Sequence, residues 1–304
     1  MDSKKKNILG HVYMAIACAI WGLMAPLGKD AMTHGIPGFE MVTFRVVGAS
    51  LSFWIASIFC KKEEVAPKDM LKLFFAGLFA IVLNQCCYTI GLSITSPVNA
   101  SIVTTTLPII TMILAALFLK EPVTSKKVIG IFLGAIGAFI LITSSKSGTG
   151  SDGGGVLGGD LLCLTAQCSF AVYLTLFKHL IARYSVVTCM KWMMTYAAIV
   201  ILPFSYTKVA ALPWADISTQ TYLETAFVVL GGTFFAYIFS THAQKILRPT
   251  VVAMYNYVQP TVACAVSVMA GIGLFGWGQA LAVALVFSGV YLVNKSKSRK
   301  DLKK

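Results

Sequence analysis

Apolar residues run along this chain in stretches of about 20, each ended by a short polar or charged connection. The stretches predict ten helices, at 10–30, 38–60, 70–92, 97–119, 126–145, 157–177, 188–207, 222–242, 249–270 and 274–294. About 20 residues of helix cross roughly 30 Å of hydrocarbon. Backbone groups must satisfy one another in lipid, so the spans are read as helices. The expected fold class is an all-α integral membrane protein.

A second pattern lies over the first. The fourth stretch opens at Pro97 and carries Pro108; the ninth opens at Pro249 and carries Pro260, each 152 positions later. The same offset pairs Trp21 with Tyr173, Gln85 with Tyr237, Thr104 with Asn256 and Gly137 with Gly289. A constant offset over most of the chain describes one unit copied twice. Each copy holds five spans, an odd number, so the second must sit upside down relative to the first. The expected organisation is a first repeat over 10–145, a Gly/Ser linker over 146–156, a second repeat over 157–294 and a basic tail over 295–304.

Composition agrees: hydrophobic residues make up 57% and charged residues 12%, too few charges for a soluble surface, where about 25% is usual. The net charge of +13 changes the picture only through its placement. Twenty-one of the 25 Lys and Arg fall in or beside alternate connections and the two ends, against Lys29, Lys146 and Lys208 on the opposite side, with Arg45 left inside a span. The positive-inside rule then puts both termini in the cytoplasm of a cell that carries the protein in its plasma membrane. The tail reads as a topology anchor rather than a nucleic-acid site. Lys4–Lys6 precede an apolar run too long for a signal peptide.

Several short motifs carry a resemblance. They are Ala19-Ile-Trp21-Gly22, Thr43-Phe-Arg45, Leu107-Pro108, Phe118-Leu-Lys120-Glu121-Pro122, and Gly130-Ile-Phe-Leu-Gly134-Ala-Ile-Gly137. Together with the ten-helix, two-copy layout, the chain resembles the drug/metabolite transporter superfamily in its EamA-repeat branch, over residues 10–294. The second copy departs from the pattern where Gly273-Leu-Phe stands in place of Glu121-Pro-Val. The resemblance implies export or exchange of amino acids, related metabolites or small organic molecules, with no enzymatic activity.

The remaining chemistry rests on polar groups inside the spans, which usually face a cavity or a partner helix. Asn84 and Gln85 precede Tyr88 by one turn and share its face. Asn99 and Thr104 lie in the fourth span, Tyr237 in the eighth, and Asn256, Tyr257 and Gln259 in the ninth. With the aromatic pair Trp21 and Tyr173, these residues are expected to contact a solute near the midplane, where facing copies meet. Amides and phenols both donate and accept, which suits a polar neutral or zwitterionic solute. Interhelical hydrogen bonding is the competing reading. Pro108 and Pro260 are expected inside their helices, freeing the carbonyls of Thr104 and Asn256.

Arg45 is expected to pair structurally rather than meet a solute, and Glu121 to cap its helix or pair with Lys126. Glu40, Asp160 and Glu224 fall at helix starts, leaving no carboxylate at depth to carry a proton. No metal motif, cofactor motif or CxxC appears among the eight cysteines. Gly130-x-x-x-Gly134 is a close-packing motif, used within a monomer or in a homodimer. The favoured function is an amino-acid or polar-metabolite transporter working by alternating access, with the bilayer and a small solute as its partners. Organic cations or drugs, and anionic nucleotide-sugars or sugar phosphates, are the alternatives; a membrane enzyme ranks last, for lack of paired acids or an activated nucleophile.

Overall fold

The chain forms ten helical rods in a computed structural model that describes residues 3–95, 97–144, 157–269 and 276–297. The linker at 146–156 and the tail beyond 297 lie outside the described residues. Rod α1 spans Ser3–Thr33 and α2 spans Gly38–Ile58. Rod α3 joins Pro67–Gly77 and Asn84–Ile94 through a π-helical turn at Leu78–Leu83. Rod α4 comprises Pro97–Thr104 and Leu107–Leu119, and α5 spans Ser125–Ser144. After α6 (Leu157–Leu176) and a short helix (Lys178–Arg183) comes α7 (Val186–Ala210). Rod α8 joins Thr219–Ala226 and Ala236–Ile246 through a π-helical stretch at Phe227–Phe235. Rod α9 joins Pro249–Met254 and Val258–Met269 through a 3₁₀ turn at Tyr255–Tyr257, and α10 spans Trp277–Asn294.

Local sequence explains the ends. Pro67 and Pro249 stand in the first turn of their helices, where a missing N–H costs nothing. The Ser185 and Ser218 hydroxyls accept the Thr188 and Thr221 N–H groups, both at 3.1 Å, as N-caps of α7 and α8. Lys120 ends α4 in the left-handed region, with φ of 53°. This turns the chain so that the Glu121 N–H reaches back to the Ala115 carbonyl at 3.1 Å.

Among the described residues, eight of the rods are long and apolar enough to cross a bilayer on their own. Their outward faces carry Leu51, Phe118, Phe204 and Phe287 exposed, while Gln85, Thr111, Thr233 and Thr241 are buried inside. That distribution suits lipid outside and hydrogen bonds within, and the chain is a multi-pass integral membrane protein.

The packing obeys a twofold relation between the repeats. Rods α2 and α7 pack together, as do α5 and α10, and α4 and α9, each on its own copy. Rod α1 packs on α8, and its counterpart α6 packs on α3. Single contacts repeat this. A Cβ on Gly130 would lie 2.7 Å from the Gly289 carbonyl, and one on Gly137 would lie 2.5 Å from the Ala282 carbonyl. Adding 152 to 130 and 137 gives 282 and 289, so these are one contact seen from both sides, as an isologous interface requires. The π turns of α3 and α8 also fall in matching places. The fold is two inverted five-helix repeats.

The prolines depart from expectation. Rod α4 breaks at Thr105 and Thr106 and restarts at Leu107, which puts Pro108 in a first turn rather than mid-helix. In α9 the 3₁₀ turn precedes Val258, so Pro260 likewise opens a new helical segment. The strain is relieved by ending one helix and starting another, and the carbonyl put to use is that of Thr105, which accepts the Tyr257 hydroxyl at 3.0 Å.

Candidate solute-binding cavity

Rods α3, α4 and α6 form one bundle and α1, α8 and α9 the other, each the copy of its partner. Between them lies a cavity with about 680 Å³ of empty space, its open mouth included. One bundle supplies Asn84, Gln85 and Tyr88 from α3, Thr104 and Leu107 from α4, and Gln167 and Phe170 from α6. The other supplies Trp21 and Met24 from α1, Tyr237 from α8, and Asn256 and Gln259 from α9. Arg45 reaches the cavity from α2.

The twofold axis runs through this place, because a residue touching its own copy lies on the axis. The Gln85 amide donates to the Tyr237 hydroxyl at 3.1 Å, and the two are 152 residues apart. The Tyr257 hydroxyl meets the Thr105 carbonyl across the same separation. A site on the axis of an inverted repeat stands at equal depth from both membrane faces.

The polar groups are held by second partners. Asn84 donates to the Ala166 carbonyl of α6 at 2.9 Å, and Gln259 donates to the Asn256 side-chain oxygen at 2.6 Å. The Trp21 indole N–H reaches the Gly232 carbonyl at 2.9 Å, inside the π-helical part of α8, and its ring meets Tyr237 edge-on with centroids 5.8 Å apart. Wide π turns leave carbonyls open to such donors. The Gln85 Oε1 is buried with no protein partner.

Eight residues expected from the sequence meet at this cavity: Trp21, Asn84, Gln85, Tyr88, Thr104, Tyr237, Asn256 and Gln259. Two stand apart from its lining. Tyr173 is buried in the core with Phe170 and Phe177 as ring neighbours, and Tyr257 is buried with its hydroxyl spent on Thr105. The Asn99 side chain lies outside the described residues. Four lining residues are not among the sequence candidates for solute contact: Met24, Leu107, Gln167 and Phe170. Gln167 carried a usable signal, an amide inside an apolar span; the other three look like any core position.

One end of the molecule is tied across the bundles. Glu121 pairs with Lys127 at 3.1 Å and also accepts the Thr250 hydroxyl of α9 at 3.1 Å. The partner is therefore Lys127 and not Lys126, which is exposed, because the left-handed turn at Lys120 aims Glu121 inward. At the same end Lys245 of α8 donates to the Tyr184 carbonyl, and Asp69 accepts from Lys72, Arg183 and Tyr184. Glu63 accepts the Ser185 N–H at 2.8 Å. Burial opposes its ionised form, but the Ser185 and Thr188 donors and the nearby Lys245 charge prevail and hold its carboxyl below the ordinary value.

Here too Pro249–Met254 of α9 packs on Leu107–Leu119 of α4. The symmetry-related halves, Pro97–Thr104 and Val258–Met269, show no comparable packing among the described residues. At the opposite end, among the described residues, Lys29 of α1 donates to the Leu92 carbonyl at 3.1 Å.

Relatives place this architecture. The EamA-like transporter family matches residues 8–143 and 157–295. An uncharacterized transporter of Archaeoglobus fulgidus is 26% identical over 75% of this chain and 77% of its own length. The uncharacterized transporter YetK of Bacillus subtilis is 24% identical over 98% of this chain and 90% of its own. A WAT1-related protein of Arabidopsis thaliana is 29% identical over 43% of this chain and 40% of its own. A solved crystal structure superposes with a TM-score of 0.76 at 16% identity, covering 96% of this chain and 98% of that one, and so shares the fold. With both five-helix repeats matched, the chain belongs to the EamA-like transporter family and is a membrane transporter, not an enzyme.

Proposed function

We propose that this protein exports or exchanges a small polar metabolite, of amino-acid size and chemistry, across the plasma membrane by alternating access. The observation that carries the reading is the position of the amide- and phenol-lined cavity on the axis between the repeats. A rocking of one three-helix bundle against the other exposes such a site to each face in turn. Charge placement supports termini on the cytoplasmic side. An organic-cation substrate has less support, since no Asp or Glu lines the cavity among the described residues.

Coupling through a buried carboxylate is not part of the reading. Glu40 and Glu224 are more buried than their place near helix starts implies. The Glu224 carboxylate nonetheless accepts from Gln220 at 2.9 Å, and Asp160 accepts from Thr95 at 2.6 Å.

The test is uptake of amino acids, hydroxy acids, organic cations and nucleosides into proteoliposomes. Alanine at Asn84, Tyr88, Asn256 or Gln259 is expected to cut transport of the accepted solute about tenfold while protein still reaches the membrane folded. Glu40→Gln, Asp160→Asn and Glu224→Gln are expected to retain it. Wild-type rates in all four alanine variants would reduce the cluster to interhelical hydrogen bonding.

A further inference from the structure

We infer that Arg45 is the anchoring point for a solute carboxylate, which makes the cavity selective for organic acids bearing a hydrogen-bond donor next to the carboxylate. The inference rests on the transport reading above and names the substrate class of the same site.

Arg45 is only 6% exposed, yet it lines the cavity. Its Nε donates to the Thr233 hydroxyl at 3.0 Å, and that hydroxyl donates onward to the Val228 carbonyl at 2.9 Å. This bond fixes the plane of the guanidinium and leaves the two terminal nitrogens to the cavity. The groups electrostatically close to it are Tyr237, Tyr88 and Cys86. None of these is a carboxylate, and among the described residues no carboxylate forms an ion pair with Arg45.

A buried guanidinium without a counter-charge is unfavourable. Its planar fork matches a carboxylate through two parallel N–H···O bonds. The second unanswered group is the Gln85 Oε1, an acceptor buried at the same cavity. An ammonium or hydroxyl beside the carboxylate would satisfy it, and the Trp21–Tyr237 pair with Phe170 offers an apolar wall for a side chain. α-Amino and α-hydroxy acids share this chemistry. Arg45 has no twofold copy, as the matching position is Ala197, so a solute held here lies on one side of the axis in a defined orientation.

The experiment uses purified full-length protein in detergent with three probes: L-phenylalanine, L-phenyllactate and L-phenylalaninamide. Both acids are expected to raise the melting midpoint and the amide to leave it unchanged, with phenyllactate separating the hydroxy-acid from the amino-acid source. Arg45→Gln is expected to raise the dissociation constant of the protecting acid about tenfold or more, and Arg45→Lys to recover part of the loss. Without ligand, Arg45→Gln should melt no lower than wild type, because it removes an unpaired buried charge; a merely structural arginine would instead lower it. Equal protection by the amide, full protection surviving in Arg45→Gln, or no protection of wild type by either acid overturns the inference. Proteoliposome uptake separates the two readings. Acid protection without any uptake condemns transport and keeps the site; uptake unaffected by Arg45→Gln condemns the site and keeps transport.

Discussion

At the scale of single residues, the helix interfaces depend on missing side chains as much as on present ones. A Cβ on Gly289 would lie 2.5 Å from the Gly130 carbonyl and 2.8 Å from the Gly134 amide nitrogen, backbone atoms that cannot rotate away. Gly289→Ala is expected to force α5 and α10 apart and lower stability by about 1–3 kcal/mol, read as a fall in melting midpoint in detergent. Gly278→Ala is the control, since a Cβ there meets nothing within 4 Å. An unchanged midpoint for Gly289→Ala would show that the interface yields. Much of the cavity was legible at this scale because a polar side chain in an apolar span stands out. Tyr173 and Tyr257 stand out for the same reason and lie off the cavity lining: the Tyr257 phenol is spent on a neighbour's backbone, and Tyr173 is packed among rings, which no single position reveals. Arg45 reads from the sequence as a structural residue, and it does bond Thr233; whether an acid stands within its reach is a fact about distance, not sequence.

At the scale of elements, the ten rods were readable from apolar run length, while their interruptions were not. Pro108 and Pro260 marked the right neighbourhood, but whether a proline kinks a helix or opens a new one depends on neighbours such as Tyr257, which takes the Thr105 carbonyl. The π-helical turns at Leu78–Leu83 and Phe227–Phe235 had no sequence signal at all.

The join of α4 to α5 carries a testable pairing. Lys127 is 1% exposed and Glu121 is 7% exposed at the side chain, so the pair is buried. Removing one partner leaves the other's charge stranded, at a cost of about 3–5 kcal/mol. Glu121→Gln is therefore expected to lower the melting midpoint sharply, and Glu121→Gln with Lys127→Met to recover most of it. A double variant no better than the single would show that Glu121 acts through Thr250 alone.

At the scale of the whole molecule, the constant offset of 152 residues located the twofold relation before any coordinates, and the contacts of Gln85 with Tyr237 and Thr105 with Tyr257 lie on it. What the sequence withheld is the asymmetry between the two ends, because a repeat encodes both conformers equally. The Glu121–Lys127–Thr250 cluster and the Lys245–Tyr184 contact hold together the end where the basic connections gather. Among the described residues, these ties make a conformer closed at that end.

The most direct measurement places one cysteine at Thr104, on the cavity, in an otherwise cysteine-free chain reconstituted in oriented vesicles. A second pair at Glu121 and Thr250, made with Lys127→Met so that no buried charge is stranded, allows a short bifunctional thiol reagent to lock the basic end before the cavity cysteine is exposed to an impermeant probe. The account predicts that without the lock the cavity is labelled from either face. With the lock it should be labelled only from the face opposite the basic connections, and solute exchange should stop. Labelling from the basic face that survives the lock, or solute exchange that continues through it, would contradict alternating access at this site.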